Sequence, residues 1–380
     1  MQTYPSADIG FVSGQGINLT DCDGNQYMDF LSGLSVCCLG HSHPVVMEAI
    51  TEQAAKIIHT SNLYIIPNQV KLARYLQDIT FASRSFFCNS GAESIEAAIK
   101  LSRRYHSKVK GEARPTVLTF EDSFHGRTLA ALAATGQPKY WDGFDPLPSG
   151  FKQVPFNNIG AVEAALNDDP SIGAVLIELI QAEGGVIVAD KDFVVALREL
   201  TTQKGVLLII DEVQTGMGRT GHNFAYEHYG IQPDVMTLAK GLGSGVPIGA
   251  LLATEEVSKG FEPGSHASTF GGNHLVTAVA IAVIKVFLND QIVERSRMRG
   301  EYIMDRLLKE RRSCMKEIRG KGLLIGIELD QPAGPYVSEM RKKGYLVGTA
   351  GPNVLRVAPP LIVSQDQCAK MVDTLLEILP

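Results

Sequence analysis

Two stretches decide how this chain folds: Val206-Leu207-Leu208-Ile209-Ile210-Asp211 and Val235-Met236-Thr237-Leu238-Ala239-Lys240. Each is a short apolar run closed by one charged side chain. An unbroken apolar run of this length reads as a strand buried on both faces. Asp211 and Lys240 are 29 positions apart, about the length of one strand–helix–strand unit. That spacing predicts adjacent parallel strands that carry both side chains to one sheet edge, where α/β clefts open.

Working outward, Thr116–Phe120 and Ala174–Ile177 read as further buried strands. Phe86-Phe87-Cys88 is a short strand that leads into a helix over Ala92–Tyr105, where Ile95, Ala98 and Ile99 fall at helical spacing. Asp192–Lys204 reads as a helix between two strands. This alternation predicts an α/β layer with a largely parallel sheet. The chain ends differ. Ile17–Phe30 contains the hairpin signal Asp23-Gly24. After about Leu275 a long helical pattern runs through Met304–Leu308. Short strands follow at Leu323–Glu328, Tyr345–Val347 and Val354–Val357, then a helix from Ser364 with Gln367 completing a capping box. The expectation is a large central domain over 58–273 and a smaller α+β domain built from 1–57 and 274–380.

The 380 residues are 45% hydrophobic and 20% charged, with a formal charge of −6. This balance argues against a broad nucleic-acid surface. It leaves room for an anionic small molecule, because a few arginines can dominate one cleft. No apolar run reaches the length of a membrane span, and the N-terminus shows no signal-peptide core. Six cysteines in 380 residues are no disulfide framework and fit a reducing cytoplasm.

Three places want the same kind of ligand. In Asn89-Ser90-Gly91-Ala92-Glu93 a strand gives way to a helix. Ser90 and Glu93 form a candidate capping box, and the bare N–H groups of the helix start suit a phosphate. An ordinary capped helix explains the stretch equally well when it stands alone. Asp211 ends a buried strand. A magnesium-binding acid of a nucleotide hydrolase is excluded there, because no Gly-x-x-x-x-Gly-Lys-Ser/Thr loop occurs. Lys240 ends the next strand, where desolvation favours the neutral, nucleophilic amine. Together a phosphate cup, a Schiff-base amine and a buried carboxylate match pyridoxal 5′-phosphate. At about 4 Å and an effective dielectric of about 20, a carboxylate–pyridinium pair is worth roughly 4 kcal/mol before desolvation. That keeps a pyridine nitrogen protonated.

With these residues in place, the chain resembles the class III pyridoxal-phosphate-dependent aminotransferases over nearly its whole length. The likeness rests on Gly40-His41-Ser42-His43-Pro44, Asn89–Ala97, Ser123-Phe124-His125-Gly126-Arg127-Thr128 and Gly136-Gln137-Pro138-Lys139-Tyr140. It continues through Asp211–Gly221, Ala239-Lys240-Gly241, His266–Asn273 and Leu355-Arg356-Val357-Ala358-Pro359. The resemblance implies fold type I of the pyridoxal-phosphate-dependent transferases. It implies Lys240 as the Schiff-base residue and proton shuttle, Asp211 on the pyridine nitrogen and Gln214 on the ring oxygen. Ser90, Gly91 and Ala92 would hold the phosphate, with Phe124 stacked on the ring. Thr269 would reach the phosphate held by a partner subunit, which implies a homodimer with shared sites. Arg127, Ser268 and Arg356 would meet substrate, and Glu183 would cover or release Arg356 as donor and acceptor alternate. The implied reaction moves the terminal amino group of N2-acetyl-L-ornithine to 2-oxoglutarate. Ornithine, succinylornithine, N-succinyl-diaminopimelate and 4-aminobutyrate are the alternative donors. A non-catalytic binding protein on this scaffold predicts loss of the lysine or the acid, and both are present.

Two positions depart from the family pattern: Glu178 is followed by Leu179 where proline is usual, and Ala182 stands where the pattern has glycine. Gly216-Met217-Gly218-Arg219-Thr220-Gly221 matches a dinucleotide fingerprint but lacks its strand-to-helix context. Cys37, Cys38, His41 and His43 crowd too closely for the separated ligand pairs of a zinc site, so a structural loop is expected and no metal.

Overall fold

The computed structural model describes residues 1–4 and 7–380. Pro5, part of the N-terminal stretch read above, and Ser6 lie outside them. Seven strands form the central sheet, in the spatial order Arg84–Cys88, Gly249–Ala253, Val235–Leu238, Leu207–Asp211, Ile172–Ile177, Thr116–Phe120, Phe151–Val154. Gly249–Ala253 runs antiparallel to both neighbours, and every other pairing is parallel. The two strands that the sequence pattern did not expose are Gly249–Ala253, second from one edge, and Phe151–Val154, at the opposite edge.

Side chains alternate across the central strands, as a period of two requires. Ala174, Leu176, Leu207, Ile209 and Val235 face one layer, where Ile95, Ala98 and Ile99 of the helix Gly91–Arg104 cover them. Val175, Ile177, Leu208, Ile210 and Met236 face the other layer, which also holds Val279 and Ile284 of the helix His274–Asn289. Burial on both faces is why these strands read as continuous apolar runs.

The chain ends meet. Phe11–Gln15, Asn18–Asp21 and Gln26–Asp29 form a sheet with Tyr345–Leu346 from the far end of the sequence. The Asp23-Gly24 turn lies where expected. Asp21 Oδ1 accepts the N–H groups of Asp23 (3.0 Å) and Asn25 (2.8 Å). A second sheet places Leu324–Leu329 between Met315–Lys321 and Val354–Val357, with Gly348–Thr349 at its edge. The helical pattern after Leu275 is two helices, His274–Asn289 and Ile292–Lys309, which meet at 66°. Gln291 breaks them with φ +54, a value that ends helical bonding. The last helix carries the full Ser364–Gln367 capping box. No single helix among the described residues is long and apolar enough to cross a membrane.

Candidate active site

The parallel register pairs Ile209 with Val235, Ile210 with Met236 and Asp211 with Thr237. Lys240 follows three residues later. Both Asp211 and Lys240 therefore reach the same sheet edge, and both line one cavity of about 440 Å³. Cys88 ends its strand beside Gly249 at that edge, so Asn89, Ser90, Gly91 and Ala92 line the cavity too. Phe124, Gly126, Arg127, Gln214 and the segment from Gly245 to Ile248 complete most of the wall.

Lys240 has φ +38, an uncommon conformation for a side-chain-bearing residue and typical of strained functional positions. Burial pulls its amine below the usual lysine range, and the nearby Arg356 guanidinium adds to that while Glu183 opposes it. Among the described residues its amine has no hydrogen-bond partner. Asp211 is held from three sides. Oδ1 accepts the Val213 N–H (3.0 Å) and the Thr237 hydroxyl (3.3 Å), and Oδ2 lies 2.9 Å from His125 Nδ1.

Ser90 caps the helix Gly91–Arg104, its hydroxyl accepting the Glu93 N–H at 3.2 Å. The expected capping box is only half formed. The Glu93 carboxylate turns instead to the Asn89 N–H (2.6 Å) and side-chain amide (2.9 Å). A Cβ at Gly91 would lie 2.7 Å from Val213, so glycine there keeps the bare helix start open.

Phe124 is half-buried, edge-on to Tyr140, and its N–H donates to Glu178 at 2.8 Å. Arg127 is exposed, with its guanidinium 4.0 Å from the Tyr140 ring centre. Gln214 donates to Glu183 at 3.4 Å and accepts from Ser35 at 3.0 Å. Arg356, fully buried, donates to the Glu183 carboxylate and to the Ala182 carbonyl (3.2 Å). Burial alone would raise the Glu183 acid, but the Arg356 guanidinium outweighs it and holds the group below the usual glutamate range.

Ser268 and Thr269 stand apart. They line a neighbouring groove with Phe86, Glu93 and Phe270, and Asn89 is common to both walls. Thr269 is exposed. The stretches set aside as ligand sites have other tasks. Arg219, between the glycines of Gly216–Gly221, is buried and donates to the carbonyls of Leu323 (3.0 Å) and Pro359 (2.5 Å). His41 pairs with Asp29 at 2.8 Å, and the Cys38 thiol donates to the Gly241 carbonyl at 3.2 Å.

Residues 3–379 match the family Aminotransferase class-III. The chain belongs to that family. Class-III aminotransferases similar to it include the acetylornithine aminotransferase of Methanocaldococcus jannaschii, 46% identical over 100% of this chain and 95% of the relative. The acetylornithine aminotransferase of Gloeobacter violaceus is 48% identical over 100% of this chain and 94% of the relative. Among solved structures, the ornithine aminotransferase of Toxoplasma gondii ME49 superposes with a TM-score of 0.96 at 32% identity, covering 99% of this chain and 91% of that one. The fold is type I of the pyridoxal-phosphate-dependent transferases, and the cofactor of the class is pyridoxal 5′-phosphate. The residues fit that group: an unpartnered, half-buried amine, an anchored carboxylate and an open helix start line one cavity of suitable size.

Three residues at this site carried no role in the reading of the sequence. His125, Glu178 and Tyr140 touch Asp211, Phe124 and Arg127 respectively. Burial, followed by the nearby Asp211 charge, pushes the Glu178 acid well above its usual range. His125 and Asp211 are 86 positions apart, so no local spacing links them.

Proposed function

We propose that this protein transfers the terminal amino group of N2-acetyl-L-ornithine to 2-oxoglutarate, giving N-acetyl-L-glutamate 5-semialdehyde and L-glutamate. The carrying observation is that Lys240 and Asp211 line one cavity beside the Gly91 helix start. The donor is supported by the two relatives of 46% and 48% identity over the whole chain. Pyridoxal 5′-phosphate, when bound, supplies a carbonyl that takes up the amino group and a ring that withdraws electrons from the carbon being deprotonated.

In this reading Ser90, Gly91 and Ala92 would hold the phosphate through the helix start. Asp211, fixed by His125, Val213 and Thr237, would pair with the ring nitrogen, Gln214 would meet the ring oxygen, and Phe124 would cover the ring. Lys240 Nζ would take the proton from the donor carbon and hand it on, a task that burial eases by favouring the neutral amine. Arg127 binds the donor carboxylate, with Tyr140 fixing its guanidinium plane. Arg356 binds the α-carboxylate of the 2-oxo acid, and Glu183 covers Arg356 while the singly charged end of the donor is bound. Ser268 lies near substrate.

A homodimer is part of the proposal. Leu63, Tyr64, Ile65, Val70 and Phe270 are exposed together with Thr269, and a second copy would cover this apolar surface. Thr269 then completes the partner's phosphate site. The proposed divisions are 1–57, 58–273 and 274–380. The proposed setting is the cytoplasm, supported by six unpaired cysteines.

Ornithine is the second reading, favoured by the fit to the Toxoplasma gondii enzyme. Steady-state assays of acetylornithine, ornithine, succinylornithine, N-succinyl-diaminopimelate and 4-aminobutyrate with 2-oxoglutarate decide between them. Acetylornithine should give the highest kcat/KM, and a clear win for another donor overturns the assignment. Borohydride should fix cofactor to Lys240 and to no other lysine.

A further inference from the structure

The C-terminal sheet sets Arg319 opposite Gly326, and Gly326 opposite Arg356. Residues directly opposite one another project from the same face of a sheet. One transverse row therefore carries a guanidinium, a bare backbone and a second guanidinium. Against it lies the hairpin Ile180–Gln181 with Ile187–Val188, whose turn is Ala182-Glu183-Gly184-Gly185-Val186. Val186 sits over the gap in the row, since a Cβ at Gly326 would lie 2.8 Å from the Val186 Cβ.

The two arginines grip opposite legs of this turn. Arg356 takes the Ala182 carbonyl and the Glu183 carboxylate. Arg319 donates twice to the Gly185 carbonyl, from Nε at 3.0 Å and Nη2 at 2.8 Å. Its remaining nitrogen binds Glu317 (2.6 Å) and Glu328 (2.5 Å), so the guanidinium is paired with two carboxylates and fixed in place. The turn needs such a grip. Val186, a β-branched residue, is held at φ +56, which relaxes unless surrounding contacts enforce it.

We propose that Arg319 is a positioning residue for Glu183. By fixing the Gly185 carbonyl it keeps the turn in the arrangement that lays the Glu183 carboxylate on Arg356, and so sets how often Arg356 is open to a substrate carboxylate. This rests on the reading above, in which Arg356 alternates between Glu183 and the α-carboxylate of the 2-oxo acid. A ligand that needs the open state binds more weakly by the fraction of time the site is covered. Loosening the far leg of the turn lowers that fraction. Arg356 then becomes available to dicarboxylates even at the stage reserved for the amine donor.

The test compares Arg319→Lys, which keeps the charge but loses the paired donors, with Val186→Ala, which keeps the strained φ but removes the side chain seated over Gly326, the turn's other anchor. Glutarate, a dicarboxylate with no reacting group, is titrated by calorimetry into cofactor-loaded protein. Its Kd should tighten about tenfold in both variants. In kinetics, inhibition of the donor half-reaction by 2-oxoglutarate should strengthen about tenfold, and kcat/KM for the donor should fall by about that factor. kcat/KM for 2-oxoglutarate should stay within about threefold. A merely destabilised enzyme loses both half-reactions together and leaves the glutarate Kd unchanged, which overturns the proposal. Glu183→Gln separates the two levels. If it produces this split and the other variants do not, Arg319 has no positioning role while the alternation stands. If Glu183→Gln itself leaves glutarate binding and the balance of half-reactions unchanged, the reading of Glu183 and Arg356 fails and the Arg319 proposal with it. In a Glu183→Gln background, Arg319→Lys should add nothing, because it acts through that carboxylate.

Discussion

His125 Nδ1 lies 2.9 Å from Asp211 Oδ2, with both side chains buried. The other ring nitrogen of His125 is buried without a partner among the described residues, so the Asp211 carboxylate is the imidazole's one side-chain contact of this kind. The Val213 N–H and the Thr237 hydroxyl fix the second carboxylate oxygen. Each of the three anchors comes from a different segment, and Asp211 is thus oriented before any ligand arrives. Asp211→Asn should lower kcat by about 10³, the rate equivalent of roughly 4 kcal/mol. His125→Phe leaves the acid in place but less well aimed, and about tenfold should be lost, as for an outer partner that orients a ligand-binding group. Steady-state kcat and the cofactor's absorption maximum check both. An Asp211→Asn enzyme within tenfold of wild type would remove the ring-nitrogen role.

Arg127 is exposed, yet its guanidinium is not free to wander. It lies 4.0 Å from the Tyr140 ring centre, and Tyr140 packs edge-on to Phe124. A planar guanidinium fixed over a ring can receive a carboxylate through two parallel bonds, and an ammonium cannot. Arg127→Lys should raise KM for the donor by about tenfold with kcat within about threefold, the pattern of lost uniform binding. Tyr140→Leu should give the same pattern at a smaller size. A fall in kcat with KM unchanged in Arg127→Lys contradicts the assignment.

The sheet edge was legible because the two strands that matter most are buried on both faces and end in charge. Buried parallel strands write themselves as apolar runs, and their charged last residues mark the edge. Gly249–Ala253 was not legible, because a short apolar segment rich in glycine and alanine has no period that separates strand from loop. The break at Gln291 escaped notice for a related reason: the apolar pattern continues across it, and only the backbone angle reveals the stop. Long-range polar partners were hidden altogether. Glu183 meets Arg356 across 173 positions, a distance at which only the family resemblance, not spacing, suggested a pair. Arg319 gave no local signal at all, since its task arises from a cross-strand register.

Thr269 is exposed and lines a groove beside the cavity of its own chain. If it serves the partner's site, damage to Lys240 and damage to Thr269 fall on the same site of a mixed dimer and leave the other site intact. Co-refolded Lys240→Ala and Thr269→Ala chains should therefore recover about a quarter of wild-type activity. Half of the random dimers would be mixed, each with one intact site, as two-fold symmetry requires. Each variant alone should stay far below that level. No recovery on mixing would mean that Thr269 serves its own subunit or none.

Glu212, next to Asp211 but facing the other way, is wholly buried. Its carboxylate accepts the Thr215 hydroxyl and the Tyr226 N–H, the latter at 3.0 Å, and so ties together the two ends of the loop Thr215–Tyr226 that follows Gln214. Burial lifts its acid from 4.5 to about 7, against the opposing pull of those hydrogen bonds. A folded-state value above the unfolded one means that the fold favours the protonated form. Its stabilising effect is whole below pH 4.5 and is lost as pH climbs through about 7, because the buried group must then carry charge. The difference is on the order of 3 kcal/mol. Glu212→Gln keeps the shape and one acceptor but cannot ionise. The stability of the wild type relative to Glu212→Gln should therefore decline between pH 4.5 and 7 and level off above. Parallel melting curves across that range measure it, and other buried acids such as Glu178 cancel in the comparison. A difference in Tm that stays flat over the whole window would show that Glu212 remains charged in the fold, and that Thr215 and Tyr226 hold it as an anion.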